Sequence, residues 1–241
     1  MEAVEAPGLS GHAESLAERA AGTIGSAVVN GDHRLGAALP VEAELARTLG
    51  VSRNVVREAV KSLAAKGLLR TNRRGGTIVL PVARWNLLDP QVIGWALATQ
   101  AHRAVALAEL AQLAAMVVPE IAALAARHAT TTQTLRLAET CEAMVAADAV
   151  HAVEAQVAFL VHLFDAARNR IAASLVPAFA ALWRAAPLRN DAAYRAVAEA
   201  VQRRDGAAAR EGMVHLLAAG AVGASAPRVR VQAGRRQMSP H

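Results

Sequence analysis

Apolar residues recur at three- and four-residue spacing over most of the chain, and sustained alternation is rare, so helices are the expected elements. A first helical stretch runs from about Ala13 to Val29 and meets the turn Asn30-Gly31-Asp32. Pro40 suits the first turn of a second, short helix, where its missing N–H costs nothing. Glu42 and Glu44 complement the positive end of that helix, and Gly50 supplies the left-handed residue that ends it. Ser52 is a good N-cap for a third helix that should run to about Lys66 and stop at Gly67. Leu68–Thr71 and Thr77–Leu80 read as short strands around a glycine-containing turn, and Pro81, lacking an N–H, ends the second. A short helix, a tight turn, a second helix and a hairpin make a winged helix-turn-helix. From about Pro90 to Gly223 the pattern predicts six or seven helices with short connections. The expected fold class is mainly α: an N-terminal winged helix-turn-helix followed by an all-α antiparallel helical bundle.

Length agrees with two domains of ordinary size, since 241 residues is more than one compact core usually needs. The expected divisions are a flexible N-terminus over 1–12, the winged helix-turn-helix over 13–81, a linker over 82–95, the helical effector and dimerisation domain over 96–223, and a disordered basic tail over 224–241. Mean hydropathy is +0.25, but the most apolar stretch, Leu110 to Ala126, is interrupted by Gln112, Pro119 and Glu120, so no membrane span is expected. Glu2 and Glu5 stand where an export leader would be basic, which points to the cytoplasm. The single cysteine, Cys141, excludes an intrachain disulfide and reads as a small buried apolar residue.

Charge becomes informative once it is located. Residues 52–74 hold Arg53, Arg57, Lys61, Lys66, Arg70, Arg73 and Arg74 against one acid, Glu58, so this window alone equals the chain's net charge of +6. Such a concentration suits a polyanion, because each neutralised phosphate releases condensed counterions. On the third helix Val56, Ala59, Val60 and Leu63 form the inward face, leaving Arg53, Asn54, Arg57 and Lys61 on the other side. Arg and Asn near the start of such a helix are the side chains that pair bidentately with guanine and adenine edges in the major groove. No nucleophile–base pair, carboxylate dyad, phosphate loop or metal cluster is legible, so an enzyme is not expected.

Leu39-Pro40-Val41-Glu42-Ala43-Glu44-Leu45-Ala46, then Leu49 through Ala59, then Gly67-Leu68 and Gly75-Gly76-Thr77, together resemble the DNA-binding domain of the GntR family of transcription regulators. The resemblance implies double-stranded operator DNA as partner, with Ser52, Arg53, Asn54, Val55, Arg57 and Lys61 on the helix in the major groove and Arg73, Arg74 and Gly75 at the wing tip. Fatty-acid-responsive members carry Arg at the position of Ala43, so a different operator is implied. Downstream, Asn169 after Phe159 and Ala166-Ala167, and Asp205 with Ala209 and Met213, resemble the family's FCD (fatty-acid-regulator C-terminal) effector domain. Trp85 to Pro90, continuing through Val92-Ile93 to Trp95, resembles the interdomain segment of sugar-acid repressors, and the two tryptophans are expected to dock this segment onto a domain.

Most FCD domains hold a divalent metal, but the matching positions here are Gln156, Leu160, Tyr194 and Leu216, none a strong ligand, so no metal or other cofactor is expected. His162 and His215 lie near two of these positions but out of phase with them. The family's carboxylate-holding Arg is replaced by Ala114, leaving Arg127, Arg168, Arg184, Arg189 and Arg195 as cations for a sugar acid. Gln156, Tyr194, His215, His162 and Arg195 are the effector-binding candidates. The resemblance thus implies a homodimeric repressor of sugar-acid, galactonate-like catabolism, released by a small-molecule effector. The alternative is a DNA-binding regulator whose helical domain only dimerises or senses an apolar ligand.

Overall fold

The computed structural model describes residues 15–72 and 76–221. The expected N-terminal extension, the wing-tip residues Arg73, Arg74 and Gly75, and the basic tail lie outside the described residues. Two compact units divide between Arg103 and Ala104.

In the N-terminal unit, α1 (Leu16–Asn30) starts on a capping box: the Ser15 hydroxyl accepts from the Glu18 N–H, and the Glu18 carboxylate accepts from the Ser15 N–H at 2.7 Å. The second helix, α2 (Glu42–Leu49), begins later than Pro40 suggests, with Val41 as N-cap and Pro40 outside the helix. The reason is that residues 37–39 are already engaged as an extended segment, the Leu39 N–H donating to the Thr77 carbonyl at 2.8 Å and the Val79 N–H to the Ala37 carbonyl at 3.0 Å. Gly50, at φ 65°, closes α2. In α3 (Arg53–Ala65) the Ser52 hydroxyl accepts from the Val55 N–H at 3.3 Å, the N-cap its sequence position implied.

The antiparallel pair β1 (Leu69–Asn72) and β2 (Gly76–Val79) sets Leu69 opposite Val79 and Asn72 opposite Gly76. Gly67 is dictated by space as well as by its φ of +78°, since a Cβ there would stand 2.1 Å from the Arg84 carbonyl oxygen.

Residues 82–95, expected as a linker, fold as a 3-10 turn (Val82–Arg84) and the first part of α4 (Pro90–Ala98), which packs against α1. The Asp89 carboxylate caps α4 by accepting from the Gln91 and Val92 N–H groups. The Trp85 indole donates to the Leu80 carbonyl at 2.8 Å, and the Trp95 ring lies so close to Gly25 that a Cβ there would meet it at 2.4 Å. Val92 enters the same core as Ile24, Val56, Leu63 and Val79. An apolar α4 face has to be buried somewhere, and α1 supplies the partner.

The C-terminal unit is all helical: α5 (Gln100–His128, continuing from the first unit), α6 (Thr131–Ala146), α7 (Ala149–Ala166), the short α8 (Arg170–Ala173), α9 (Val176–Ala185), α10 (Asp191–Gln202) and α11 (Gly206–Ala221). Short connections make α6 and α7, and α10 and α11, antiparallel neighbours. Counted from Pro90, eight helices stand among the described residues, because α8 is a separate turn set off by Asn169, whose carboxamide oxygen accepts from the Ala172 N–H.

The core of this unit is aromatic despite the chain's poverty in such residues. Phe159 meets Tyr194 edge-on at 5.1 Å, while Phe179 lies 6.0 Å from Phe164 and 6.4 Å from Trp183. Helices α5 and α7 have the length and apolar content of membrane spans. On α7, however, the buried residues Phe159, Leu160, Leu163 and Phe164 face α6 and α9, so its apolar character serves the bundle core.

Candidate nucleic-acid interface

The candidate surface follows from how α3 is held. Val56, Ala59, Val60 and Leu63 are buried, which turns the opposite side of the helix outward. Arg53, Asn54, Arg57 and Lys61 are exposed there, on the side opposite the apolar stripe of three- and four-residue spacing. Two sequence candidates have other duties. Ser52 spends its oxygen on the helix cap, and Val55 is half-buried against the domain core.

The cations of the 52–74 window are not equally free. Arg57 donates through Nε and Nη2 to the two oxygens of Glu42 at 3.3 and 2.8 Å, a two-point pair between α3 and the start of α2. That hydrogen bond, with the carboxylate's charge, holds the Arg57 guanidinium above its ordinary range. Lys61 pairs with Glu58 at 2.8 Å, both well exposed. Lys66, read as part of the basic surface, is instead paired with Asp89 at 2.6 Å, each side chain only about a sixth exposed. Arg53 and Arg70 are exposed and carry no ion pair among the described residues. The sequence window therefore overstates the cationic charge at this surface, since Glu42 and Asp89 lie outside it.

In the C-terminal unit the four positions at which the sequence resemblance would place metal ligands are all buried: Gln156, Leu160, Tyr194 and Leu216. The side-chain oxygens of Gln156 and Tyr194 are already engaged. The Gln156 carboxamide oxygen accepts from the Leu188 N–H at 3.2 Å, and the Tyr194 hydroxyl accepts from the Trp183 indole at 2.9 Å. Burial pushes the Tyr194 hydroxyl well above the usual phenol range, so it stays protonated. A divalent ion does not fit this set: two aliphatic side chains, a neutral phenol and an engaged carboxamide offer it no anionic ligand. Among the described residues no three of His, Cys, Asp or Glu gather as a metal site.

The remaining effector candidates are scattered. His162 is half-buried, and burial first, then the nearby Arg136, lowers its pKa. His215 is exposed, and Arg195 is an exposed partner of Glu142 at 3.2 Å. Arg184, another candidate cation, forms a two-point pair with Glu154. Cys141 is buried, and burial pushes its thiol up to about 11.

A feature that periodicity did not reveal is a cavity of about 390 Å³ between α5, α9 and α11. Leu107, Leu182, Trp183, Leu188 and Leu217 form much of its wall, and Gln112 is its one polar side chain. Its volume lies in the range of small-molecule sites, and no charged residue lines it.

Comparison with known proteins agrees with the first unit. Residues 16–79 match the model of the bacterial regulatory proteins of the gntR family. An uncharacterized HTH-type transcriptional regulator of Escherichia coli, YieP, is 43% identical over 83 residues, 34% of this chain and 33% of that protein. The galactonate operon transcriptional repressor of Escherichia coli is also 43% identical, over 75 residues, 31% of this chain and 33% of its own. The chain thus matches about a third of the length of each. The solved structure of Lar, described as controlling the expression of the Listeria monocytogenes agr system, is similar in fold at TM-score 0.58 and 18% identity, covering 87% of this chain and 96% of that one.

Proposed function

We propose that this chain, whose residues 16–79 form a helix-turn-helix domain of the GntR family, is a DNA-binding transcription regulator that acts as a homodimer on a near-palindromic operator. The observation that carries the reading is the outward row Arg53, Asn54 and Arg57 on a helix whose other face is fully committed to the core. Ser52 and Lys61 flank that row, and Arg73, Arg74 and Gly75 complete the interface in this reading. Base contacts near the start of α3 give sequence selectivity, and phosphate contacts give salt-dependent affinity. Arg57→Ala is expected to cost about 1–3 kcal/mol on a duplex selected from a random pool by the wild-type chain. Fluorescence anisotropy at fixed salt measures it, and undiminished binding rejects the assignment.

For the effector, the first reading is a sugar acid whose binding lowers operator affinity through its preference for one of two states. The identity with the galactonate operon repressor supports it. A second reading, an apolar ligand, is favoured by the charge-free cavity between α5, α9 and α11. Thermal-shift measurements separate the two, because a ligand selective for the folded state raises its melting temperature. Stabilisation by sugar acids alone supports the first reading, and stabilisation by uncharged apolar compounds alone supports the second.

A further inference from the structure

We propose that Glu42 is a positioning residue: by holding one edge of the Arg57 guanidinium it sets how sharply the recognition helix discriminates between DNA sequences. This rests on the reading of Arg57 as a base-contacting side chain.

The geometry gives the reason. Guanidinium has five N–H donors in a rigid plane. Glu42 takes one from Nε and one from Nη2, which leaves three, and none of the three has a partner among the described residues. The free edge of Nη1 and Nη2 is the pair of donors that can meet the O6 and N7 acceptors of guanine. Arg57 can therefore keep Glu42 and accept a base at the same time. An unheld arginine would have to give up its rotamer freedom on meeting DNA, whereas this one has given it up already.

Stability does not explain the pair. The two side chains are 54% and 34% exposed, and surface ion pairs contribute little to folding. Nor does general DNA affinity explain it, since a carboxylate beside a phosphate-binding surface opposes binding. What the pair does favour is selectivity: it penalises any phosphate backbone through the Glu42 charge, and it repays that penalty only where a base meets the pre-oriented fork.

The test uses the full chain and two short duplexes, one selected from a random pool by the wild-type protein and one with the same bases shuffled. Glu42→Gln and Glu42→Ala are each expected to bind the shuffled duplex more tightly and to lower the selected-to-shuffled ratio by about tenfold, the lower part of the range for one bidentate base contact. The slope of log affinity against log salt should steepen by about one, as one more cation becomes free for phosphate. In an Arg57→Ala background, Glu42→Gln should no longer move the ratio. If Arg57→Ala lowers the ratio while both Glu42 variants retain the wild-type value, the positioning role is overturned and the reading of Arg57 stands. If Arg57→Ala itself leaves the ratio unchanged, the underlying reading falls instead. A Glu42 variant that loses affinity equally for both duplexes also overturns the proposal, because that is the signature of damaged folding rather than of lost selectivity.

Discussion

Two buried side chains in the C-terminal unit have a single bond between their polar atoms, from the Trp183 indole to the Tyr194 hydroxyl. Both residues are about 1% exposed, so neither polar group can turn to water if the other is removed. Tyr194→Phe keeps the ring and its edge-on contact with Phe159 but leaves the indole N–H unpaired, and is expected to destabilise the protein by about 1–3 kcal/mol. Urea unfolding at neutral pH, where this hydroxyl is protonated, measures the effect; a loss below a few tenths would mean that the bond contributes nothing net. Tyr194 was singled out in the sequence for its place in a family's ligand set. What it does in this fold, accepting a bond from a residue on another helix, could not be read from that place.

Among the elements, α4 illustrates how far local pattern reaches. Asp89 before Pro90 signals a helix start, and the structure uses Asp89 as the cap. Which partner buries the helix is a different matter, decided where Trp95 meets Gly25 of α1. Gly25→Ala would put a methyl group into that ring, and is expected to cost about 1–3 kcal/mol through overpacking, in spite of alanine's better helix propensity. Thermal or urea unfolding checks this. An unchanged or raised stability would mean that the indole is not held on Gly25. Gly22, three residues earlier on the same helix, has open space about its Cβ position and is the control, expected to gain stability on the same substitution.

For the molecule as a whole, the side chains at the four positions where the resemblance would place metal ligands make a chemical prediction. With Gln156, Leu160, Tyr194 and Leu216 at these positions and the side-chain oxygens of Gln156 and Tyr194 engaged, the purified chain is expected to hold no stoichiometric divalent metal. Elemental analysis giving about one ion per chain would contradict this. Charge also reads differently at this scale. The +6 of residues 52–74 counts Arg57 and Lys66 at full value, whereas Glu42 and Asp89 fold onto them from outside the window.

By itself the sequence determined what depends on near neighbours: the Ser52 cap, the buried stripe Val56, Ala59, Val60 and Leu63, the hairpin and the outward row Arg53, Asn54 and Arg57. These follow from helix and strand periods and from which side chains can bond to a free backbone N–H, all of which are written within a few residues. Tertiary structure decided what depends on residues far apart in the chain. It paired Glu42 with Arg57, tied Lys66 to Asp89, gathered every phenylalanine of the chain around Tyr194 and Trp183, and left an uncharged cavity between α5, α9 and α11. Periodicity says which face of a helix turns inward, but not which face it meets; that is fixed only when whole elements pack and each buried polar group finds its partner.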